Sequence, residues 1–234
     1  MKKYTFIFLT CILFVFVETG YTQRILGALS AGINLTQVDG DEVYGYRKVG
    51  FNGGPSIIIP FGKKGKWSVT MEILFSQMGS YQKTPSGFVD TIPDTLSGAF
   101  YFGYKLSLNY VQIPLLVHFT DRKIIAAGVG FAYGQLVDVK EWENGIQQEK
   151  TNLQSPYAMG DLQVLADVRV RIWNRLWADV RYSYSLLPLR TREFTNIYGK
   201  ETWTRKQYNN VITLRFTWIF NDPYIKERGK KIKN

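Results

Sequence analysis

The stretch YNNVITLRFTWIF, from Tyr208 to Phe220, decides the fold. Its even positions form an apolar row that becomes aromatic toward Phe220, while its odd positions include Arg215. Successive side chains of a strand point to opposite faces, so this strict alternation predicts a β-strand. About 9–11 residues of strand are enough to cross a membrane. Because unpaired backbone groups cannot be satisfied in lipid, such a strand must belong to a closed barrel.

Seven further alternating segments precede this strand, at about residues 25–36, 49–59, 67–81, 102–119, 124–137, 157–172 and 176–186. Their connections alternate between short turns and longer polar stretches, as in outer-membrane barrels with short periplasmic turns and long extracellular loops. The sequence therefore predicts an all-β fold, an eight-stranded antiparallel up-and-down transmembrane β-barrel over residues 23–221. Pro55 within the second strand, and a phase change of the apolar row beside Pro114, each predict a β-bulge.

Charged residues fall on the strand faces opposite the apolar rows. A basic side chain near the lipid midplane would cost about 2–4 kcal/mol, so we expect these residues to point inward. They are Glu72, Lys105, Asp161, Asp167, Arg169, Arg171, Asp179, Arg181 and Arg215. An eight-stranded barrel is just wide enough for side chains to fill. The interior is therefore expected to be a salt-bridged plug, with Asp167–Arg181, Arg169–Asp179 and Glu72–Arg215 as pairs, and selective conduction is the alternative.

Aromatic residues make up 15% of the chain, as expected of a barrel with aromatic girdles at both membrane interfaces. The candidate interface aromatics are Trp67, Tyr182, Tyr184, Phe216, Trp218 and Phe220.

The two ends of the chain are predicted to lie outside the barrel. Lys2 and Lys3 precede an apolar run from Tyr4 to Val17, which predicts a cleaved secretory signal peptide over residues 1–22. The alternative, a transmembrane anchor, needs about 20 apolar residues. Cys11 would leave with the signal, so no cysteine remains for a disulfide or a thiol nucleophile. Residues 222–234 are predicted to form a basic periplasmic tail, which places both termini in the periplasm.

No motif points to an enzyme, a cofactor or a metal. The single histidine, His118, is expected at the end of a strand beside a short turn, and no Ser or Thr has a recognisable base beside it. Asp39, Asp41 and Glu42 flank Gly40 and are expected to form a turn, with a metal site as the alternative. The net charge of +10 comes with no basic face or recognition helix, so nucleic acid is not an expected partner.

Five stretches together resemble the PorT-type outer-membrane β-barrel proteins of Bacteroidota, which are small barrels of the OmpA/OmpX-like kind. They are GAxxxGxNLTQVDGDxxxGYRKVGF at 27–51, WSVTMEILFSQMGS at 67–80, LNYVQIPLLVHF at 108–119, RYSYSLLPLR at 181–190 and QYNNVITLRFTW at 207–218. The resemblance implies an integral outer-membrane protein with a part in type IX protein secretion. Its partners would be outer-membrane lipid and secretion-system proteins of the outer membrane or periplasm.

The expected function is that of a non-enzymatic barrel acting as an accessory or assembly component of secretion, since eight strands are too few to pass a folded protein. One alternative is a structural or adhesive surface barrel whose extracellular loops bind a ligand. Another is an enzyme that acts on lipid at the barrel rim.

Overall fold

The barrel closes by pairing its first strand with its last. The computed structural model describes residues 25–41, 43–62, 65–82, 103–143, 146–147, 156–195 and 202–222. The predicted signal peptide, Cys11, Glu42 and the tail beyond Asp222 lie outside them. Among the described residues no helix is long and apolar enough to cross a membrane.

The described residues contain eleven strands of one sheet. They are β1 (Leu26–Asp39), β2 (Lys48–Phe61), β3 (Trp67–Glu72), β4 (Leu74–Gln82), β5 (Tyr104–Asp121), β6 (Ile125–Glu143), β7 (Ile146–Gln147), β8 (Gly160–Trp173), β9 (Leu176–Ser185), β10 (Arg190–Thr195) and β11 (Thr202–Ile219). They fill eight positions of a ring, because β3 and β4 occupy one position and β7 and β10 only extend hairpins of β6 and β11. The ring runs β1, β2, β3/β4, β5, β6, β8, β9 and β11, all antiparallel.

The closing contact is long. β1 pairs with β11 from Ala28–Ile219 to Asp39–Tyr208, so neither strand has an open edge within the ring. This confirms the predicted eight-stranded antiparallel barrel. Short turns after Phe61, Asp121 and Trp173 gather at one end, here called the turn end, together with Leu26 and Ile219. The longer connections lie at the other end, here called the loop end.

The two faces of the wall differ as the alternation requires. Apolar side chains cover the outside, among them Leu29, Phe51, Val129, Val168 and Phe216. The inside is polar at mid-height and apolar toward both ends. At the turn end Trp177 packs with Leu26 and Ile219, and at the loop end Leu106, Leu108 and Leu136 belong to a larger buried cluster.

Both predicted bulges are wrong. Inward and outward residues alternate without interruption along β5, through Pro114. The register shift lies instead between the Asn109–Asp138 and Tyr110–Leu136 pairs, and it leaves an extra residue on β6. At Pro55 the register is unchanged. The Asn52–Ser76 pair on one side of it and the Ser56–Glu72 pair on the other are separated by four residues on each strand, so neither strand has an extra residue.

The strands also continue further toward the loop end than the alternation predicts. β6 runs on to Glu143, and much of the predicted loop between Pro188 and Lys206 is strand, because β10 pairs with the start of β11. These two segments form a two-stranded hairpin that rises above the ring, here called the β10–β11 ribbon.

Candidate functional site: the charged lumen and the loop end

Six charged side chains meet at mid-height inside the barrel, and Glu72 is at their centre. Its carboxylate accepts two hydrogen bonds from Arg215, at 2.8 and 2.9 Å, and two from Arg181, at 2.8 and 3.0 Å. A fifth comes from Arg169 Nη2 at 3.1 Å. Glu72 is only 1% exposed. Three guanidinium groups therefore share one carboxylate. Hydrogen bonds between ionised partners are stronger than those between neutral groups.

Two aspartates complete this central cluster. Asp167 Oδ2 lies 2.8 Å from Arg181 Nη2 and 3.2 Å from Arg169 Nη2. Asp179 Oδ2 lies 3.1 Å from Arg215 Nε and 3.7 Å from Arg169 Nε. All three pairs expected from the sequence are present, within a network rather than as separate bridges. Three arginines face three carboxylates, so the formal charges of the cluster cancel.

The central cluster crosses the lumen. Glu72 is on β3 and Arg181 is on β9, and these strands stand on opposite sides of the eight-membered ring. A 2.8 Å ion pair between them therefore joins one side of the barrel wall to the other. Side chains, not an open channel, occupy the middle of the barrel.

His118 lies near the turn-side end of β5, as the sequence suggested, and its side chain points into the barrel. Its Nε2 is 2.8 Å from Asp167 Oδ1 and its Nδ1 is 3.1 Å from Thr70 Oγ1. Thr70, His118 and Asp167 thus have the connectivity of a nucleophile, a base and an orienting acid. Thr70 is 0% and His118 1% exposed, so no substrate reaches the hydroxyl. This arrangement serves to hold Asp167 and to join β3, β5 and β8.

Asp161 is also inside, but it belongs to a separate layer nearer the loop end. Its Oδ2 accepts hydrogen bonds from Gln163 at 2.6 Å, Ser185 at 2.9 Å and Asn209 at 2.9 Å. Gln112 Nε2 donates to Gln163 Oε1 at 3.1 Å and extends this layer to β5. Three neutral donors therefore meet on Oδ2 without an arginine, while the buried Oδ1 has no hydrogen-bond partner among the described residues.

The two remaining charged residues of the predicted set lie elsewhere. Arg171 is at the turn end, where it pairs with Asp222 at 2.7 Å and stacks on Trp177 at 4.5 Å. Lys105 is on the outer wall near the loop end, with its Nζ 4.9 Å from the centre of the Trp142 ring. Its predicted inward position is wrong, because the inward residues of this part of β5 are Tyr104, Leu106 and Leu108.

The six candidate interface aromatics all lie on the outside of the barrel wall. Trp67, Trp218 and Phe220 are near the turn end, and Trp67 packs edge-on against Phe119 at 5.1 Å. Phe216 is nearer mid-height. Tyr182 and Tyr184 are closer to the loop end, where Tyr184 stacks on Tyr208 at 6.0 Å. Their contact with the membrane interfaces stays a prediction.

Among the described residues there is no group of three or more His, Cys, Asp or Glu side chains that could hold a metal ion. Asp39 and Asp41, the candidates from the sequence, have protein partners. Gln37 Nε2 donates to Asp39 Oδ1 at 2.6 Å, and the backbone N–H of Val43 donates to Asp41 Oδ1 at 2.8 Å. Asp41 therefore shapes the β1–β2 connection, as the turn interpretation expects.

A family model described as "Outer membrane protein beta-barrel domain" matches residues 23–190 of the sequence. The chain belongs to this family. It is therefore an integral outer-membrane β-barrel, which places its apolar outer wall against lipid. No curated protein matches the chain.

The chain is also similar, at low sequence identity, to solved structures of outer-membrane proteins. Ail, the attachment invasion locus protein of Yersinia pestis, is 14% identical with a TM-score of 0.46, over 83% of this chain and 98% of that one. A major outer membrane protein from Thermus thermophilus is 10% identical with a TM-score of 0.45, over 86% and 100%. The outer membrane protease OmpT from Escherichia coli is 9% identical with a TM-score of 0.35, over 87% and 99%. Similarity this distant carries no argument about function.

The β10–β11 ribbon is the part of the loop end that the sequence did not predict. Arg192 and Arg205 stand directly opposite each other on its two strands, and Phe194 faces Trp203 two pairs further along, on the same face. The two rings stack at 6.1 Å, and Arg192 lies over Phe194 at 5.2 Å. Like charges placed directly opposite destabilise a strand pair. The alternation of Arg192, Phe194, Trp203 and Arg205 was a signal available in the sequence.

Arg190 anchors the β10–β11 ribbon to the barrel. It donates to Gln207 Oε1 at 2.8 Å and pairs with Glu141 at 3.1 Å, and its guanidinium stacks on Tyr157 at 4.4 Å. Tyr104 donates to the same Glu141 at 2.9 Å. The base of the ribbon is thus held by buried polar contacts to β5, β6 and β11.

Burial changes the titration of one carboxyl group in the β1–β2 connection, that of Asp41. It is only 6% exposed, and this burial raises the pKa of its carboxyl from 3.8 to about 6. The hydrogen bond from Val43 and the positive charge of Arg190 oppose the increase without cancelling it.

Proposed function

We propose that the protein is a non-enzymatic, internally sealed outer-membrane barrel that acts through the surface at its loop end. The observation that carries this proposal is the 2.8 Å ion pair between Glu72 and Arg181, which stand on opposite sides of the ring. A conduit for protein or solute needs an open lumen, and here charged side chains occupy it. Function then rests on surfaces at the ends of the barrel, and the loop end has the more extended one.

The proposal that the barrel is not an enzyme rests on the enclosure of Thr70 and His118. The test compares the wild-type protein with a His118→Ala variant, both folded in lipid vesicles, for hydrolysis of phospholipid and of peptide substrates. We expect background rates from both proteins. Hydrolysis by the wild type that disappears in the variant would contradict the proposal.

The specific role we propose is that of an accessory or assembly component of type IX protein secretion. Its support is the resemblance of five sequence stretches to PorT-type barrels. A sealed lumen is compatible with this role only if the barrel contacts other secretion proteins, because it cannot itself pass a folded cargo. The loop end would face the exterior, and the termini the periplasm.

A deletion strain tests this role. Loss of the gene should reduce the protease activity secreted into the medium, and return of the intact gene should restore it. Affinity purification of the barrel from its native outer membrane should co-isolate secretion-system proteins. Normal export from the deletion strain would contradict the secretion role while leaving the sealed barrel intact.

The second candidate is a surface barrel whose loop end binds a ligand, and the β10–β11 ribbon favours it. From Arg190 to Gln207 the sequence has five basic and two acidic residues, and Arg192 and Arg205 are directly paired. Arg192 also lies 3.8 Å from Glu141 Oε1. An anionic ligand at the ribbon would reduce the repulsion between the two facing arginines.

A ribbon variant separates the two candidates. Arg192→Gln with Arg205→Gln should abolish retention of intact cells on dextran sulfate beads if ligand binding is the function, while export stays normal. Glu193→Gln, an exposed change on the same ribbon, is the control and should alter neither result. Unchanged retention of the double variant would remove the ligand-binding candidate.

A further inference from the structure

Three lysine ammonium groups converge near Ser107, which lies on the outer wall close to the loop end. Lys105 and Lys140 are at outward positions, whereas Lys48 is at an inward position of its strand and only its ammonium group reaches this patch. Lys48 reaches from β2 across β4, and its Nζ donates to Ser107 Oγ on β5 at 3.4 Å. Lys140 stands on β6 in register with Ser107, and Lys105 lies two residues from Ser107 on β5. The three side chains therefore form a single patch across four neighbouring strands, here called the lysine patch.

Two aromatic side chains border the lysine patch. Tyr81 on β4 and Trp142 on β6 are both in register with Lys105, one on each side of it. The Lys105 ammonium stacks over Trp142 at 4.9 Å. One carboxylate is close, since Asp138 lies 3.8 Å from Lys140. Three positive charges against one negative charge leave the patch basic, so an anion complements it.

The position of the lysine patch indicates which anion it binds. Below it, the outer wall of the same strands is apolar: Val49, Phe51, Phe75, Val111, Ile113, Phe131 and Tyr133 are exposed there. Counting about ten residues along β5 from Phe119 toward the loop end places the hydrocarbon boundary near Val111. Ser107 and the flexible lysine side chains then fall at the level of the lipid headgroups. An anion held there has its acyl chains on the apolar wall directly beneath.

We propose that Lys48, Lys105 and Lys140 bind the phosphate of a phosphorylated lipid headgroup in the leaflet around the loop end. Ammonium groups bind phosphate as point charges, Ser107 offers a hydroxyl, and Tyr81 and Trp142 lie beside a headgroup sugar. The inference does not depend on either candidate function. It needs only the lipid-facing wall of a barrel, so its failure would leave the proposed function standing.

The experiment measures how much diphosphoryl lipid A stays with the folded barrel after extraction from mixed vesicles of lipid A and phosphatidylcholine. The wild type should be enriched in lipid A over phosphatidylcholine. The variant Lys48→Gln, Lys105→Gln, Lys140→Gln should lose this enrichment, by about fivefold in affinity for each lysine. A double variant, Lys105→Gln with Lys140→Gln, keeps the Lys48–Ser107 hydrogen bond. The double variant should also lose most of the enrichment in lipid A, and it provides the test if the triple variant does not fold.

A matched control removes the same charge elsewhere. Lys66→Gln with Arg122→Gln and Lys123→Gln changes three basic residues at the turn end. It should change lipid A retention by less than about twofold.

Three results would overturn the proposal. The first is equal loss in the control and the patch variants, and the second is full retention by the double variant. The third is displacement of lipid A from the wild type by soluble inositol hexakisphosphate, which would indicate a site for a soluble polyanion.

Discussion

Replacement of Glu72 by Gln should be among the most destabilising single changes in the barrel. Glu72 accepts five hydrogen bonds from three arginines, at 2.8–3.1 Å. The amide is nearly the same size, but its NH₂ group would face guanidinium donors, and the central cluster would change from zero to one net positive charge. Removing one partner of a buried ion pair costs about 3–5 kcal/mol. We expect a loss of unfolding free energy in that range.

The measurement is urea unfolding in phospholipid vesicles, followed by tryptophan fluorescence. Glu193→Gln makes the same chemical change at an exposed site and should alter the unfolding free energy by less than about 0.5 kcal/mol. Adding Arg181→Gln to the Glu72 variant leaves two arginines and two aspartates, so charge balance returns. The double variant should therefore lose clearly less than the two single losses combined. A Glu72→Gln cost below about 1 kcal/mol, or additive losses, would refute this reasoning.

The remaining predictions concern packing, pH and conductance. Gly128→Ala would place a Cβ 2.3 Å from His118 Cδ2 and should lower the unfolding free energy, measured with urea, by about 1–3 kcal/mol. In Gly27→Ala the atom nearest to the new Cβ is 3.6 Å away, so this control should cost less than about 0.5 kcal/mol. Equal costs for the two variants would contradict this prediction. Because burial raises the pKa of Asp41 to about 6, the folded state binds its proton more tightly than the unfolded state between pH 3.8 and 6. The unfolding free energy should fall by up to about 3 kcal/mol as pH rises through this window, and Asp41 should cause no further change above it. Asp41→Asn should remove this dependence of the unfolding free energy on pH. If the dependence survives in Asp41→Asn, other groups cause it. The wild-type barrel should show no conductance steps in a planar bilayer, because Glu72 is joined to the opposite wall, and steady openings would show that the lumen is not sealed.

Alternation alone was enough to predict the ring of eight strands and most of its inward charges. In β11 the phase is unambiguous, since Leu214, Phe216 and Trp218 are exposed while Arg215 and Thr217 are buried. Lipid admits few charges, so a charged residue in the middle of a strand marks the inward face. That rule predicted the ion pairs of the central cluster.

The same rule failed where the interior is itself apolar. With Lys105 expected to point inward, the alternation puts Tyr104, Leu106 and Leu108 on the lipid face, but these residues pack inside with Leu136. Between the central cluster and the loop end, the lumen is filled by apolar side chains. An apolar row there does not show which face of the strand points toward lipid. The apolar row changes sides along β5 while the strand keeps its phase, which produced the wrong bulge at Pro114 and the wrong position for Lys105.

Contacts between distant strands could not be read from local pattern. The Thr70–His118–Asp167 arrangement joins β3, β5 and β8, because Gly128 on the intervening β6 leaves room for His118 to reach Asp167. The β10–β11 ribbon depends on the register of Arg192 with Arg205, which is set by β11 continuing beyond the ring. The lysine patch depends on Lys48 reaching across an intervening strand.

The central claim is that apolar side chains meet lipid while charged ones are enclosed, and a spin-label scan of β11 in lipid vesicles tests it most directly. Single cysteines can be introduced because the only natural one, Cys11, lies in the predicted signal peptide. Labels at Leu214, Phe216 and Trp218 should be highly accessible to dissolved oxygen, and labels at Thr213, Thr217 and Ile219 should be protected. An inverted pattern, or equal accessibility at both sets of positions, would contradict the account.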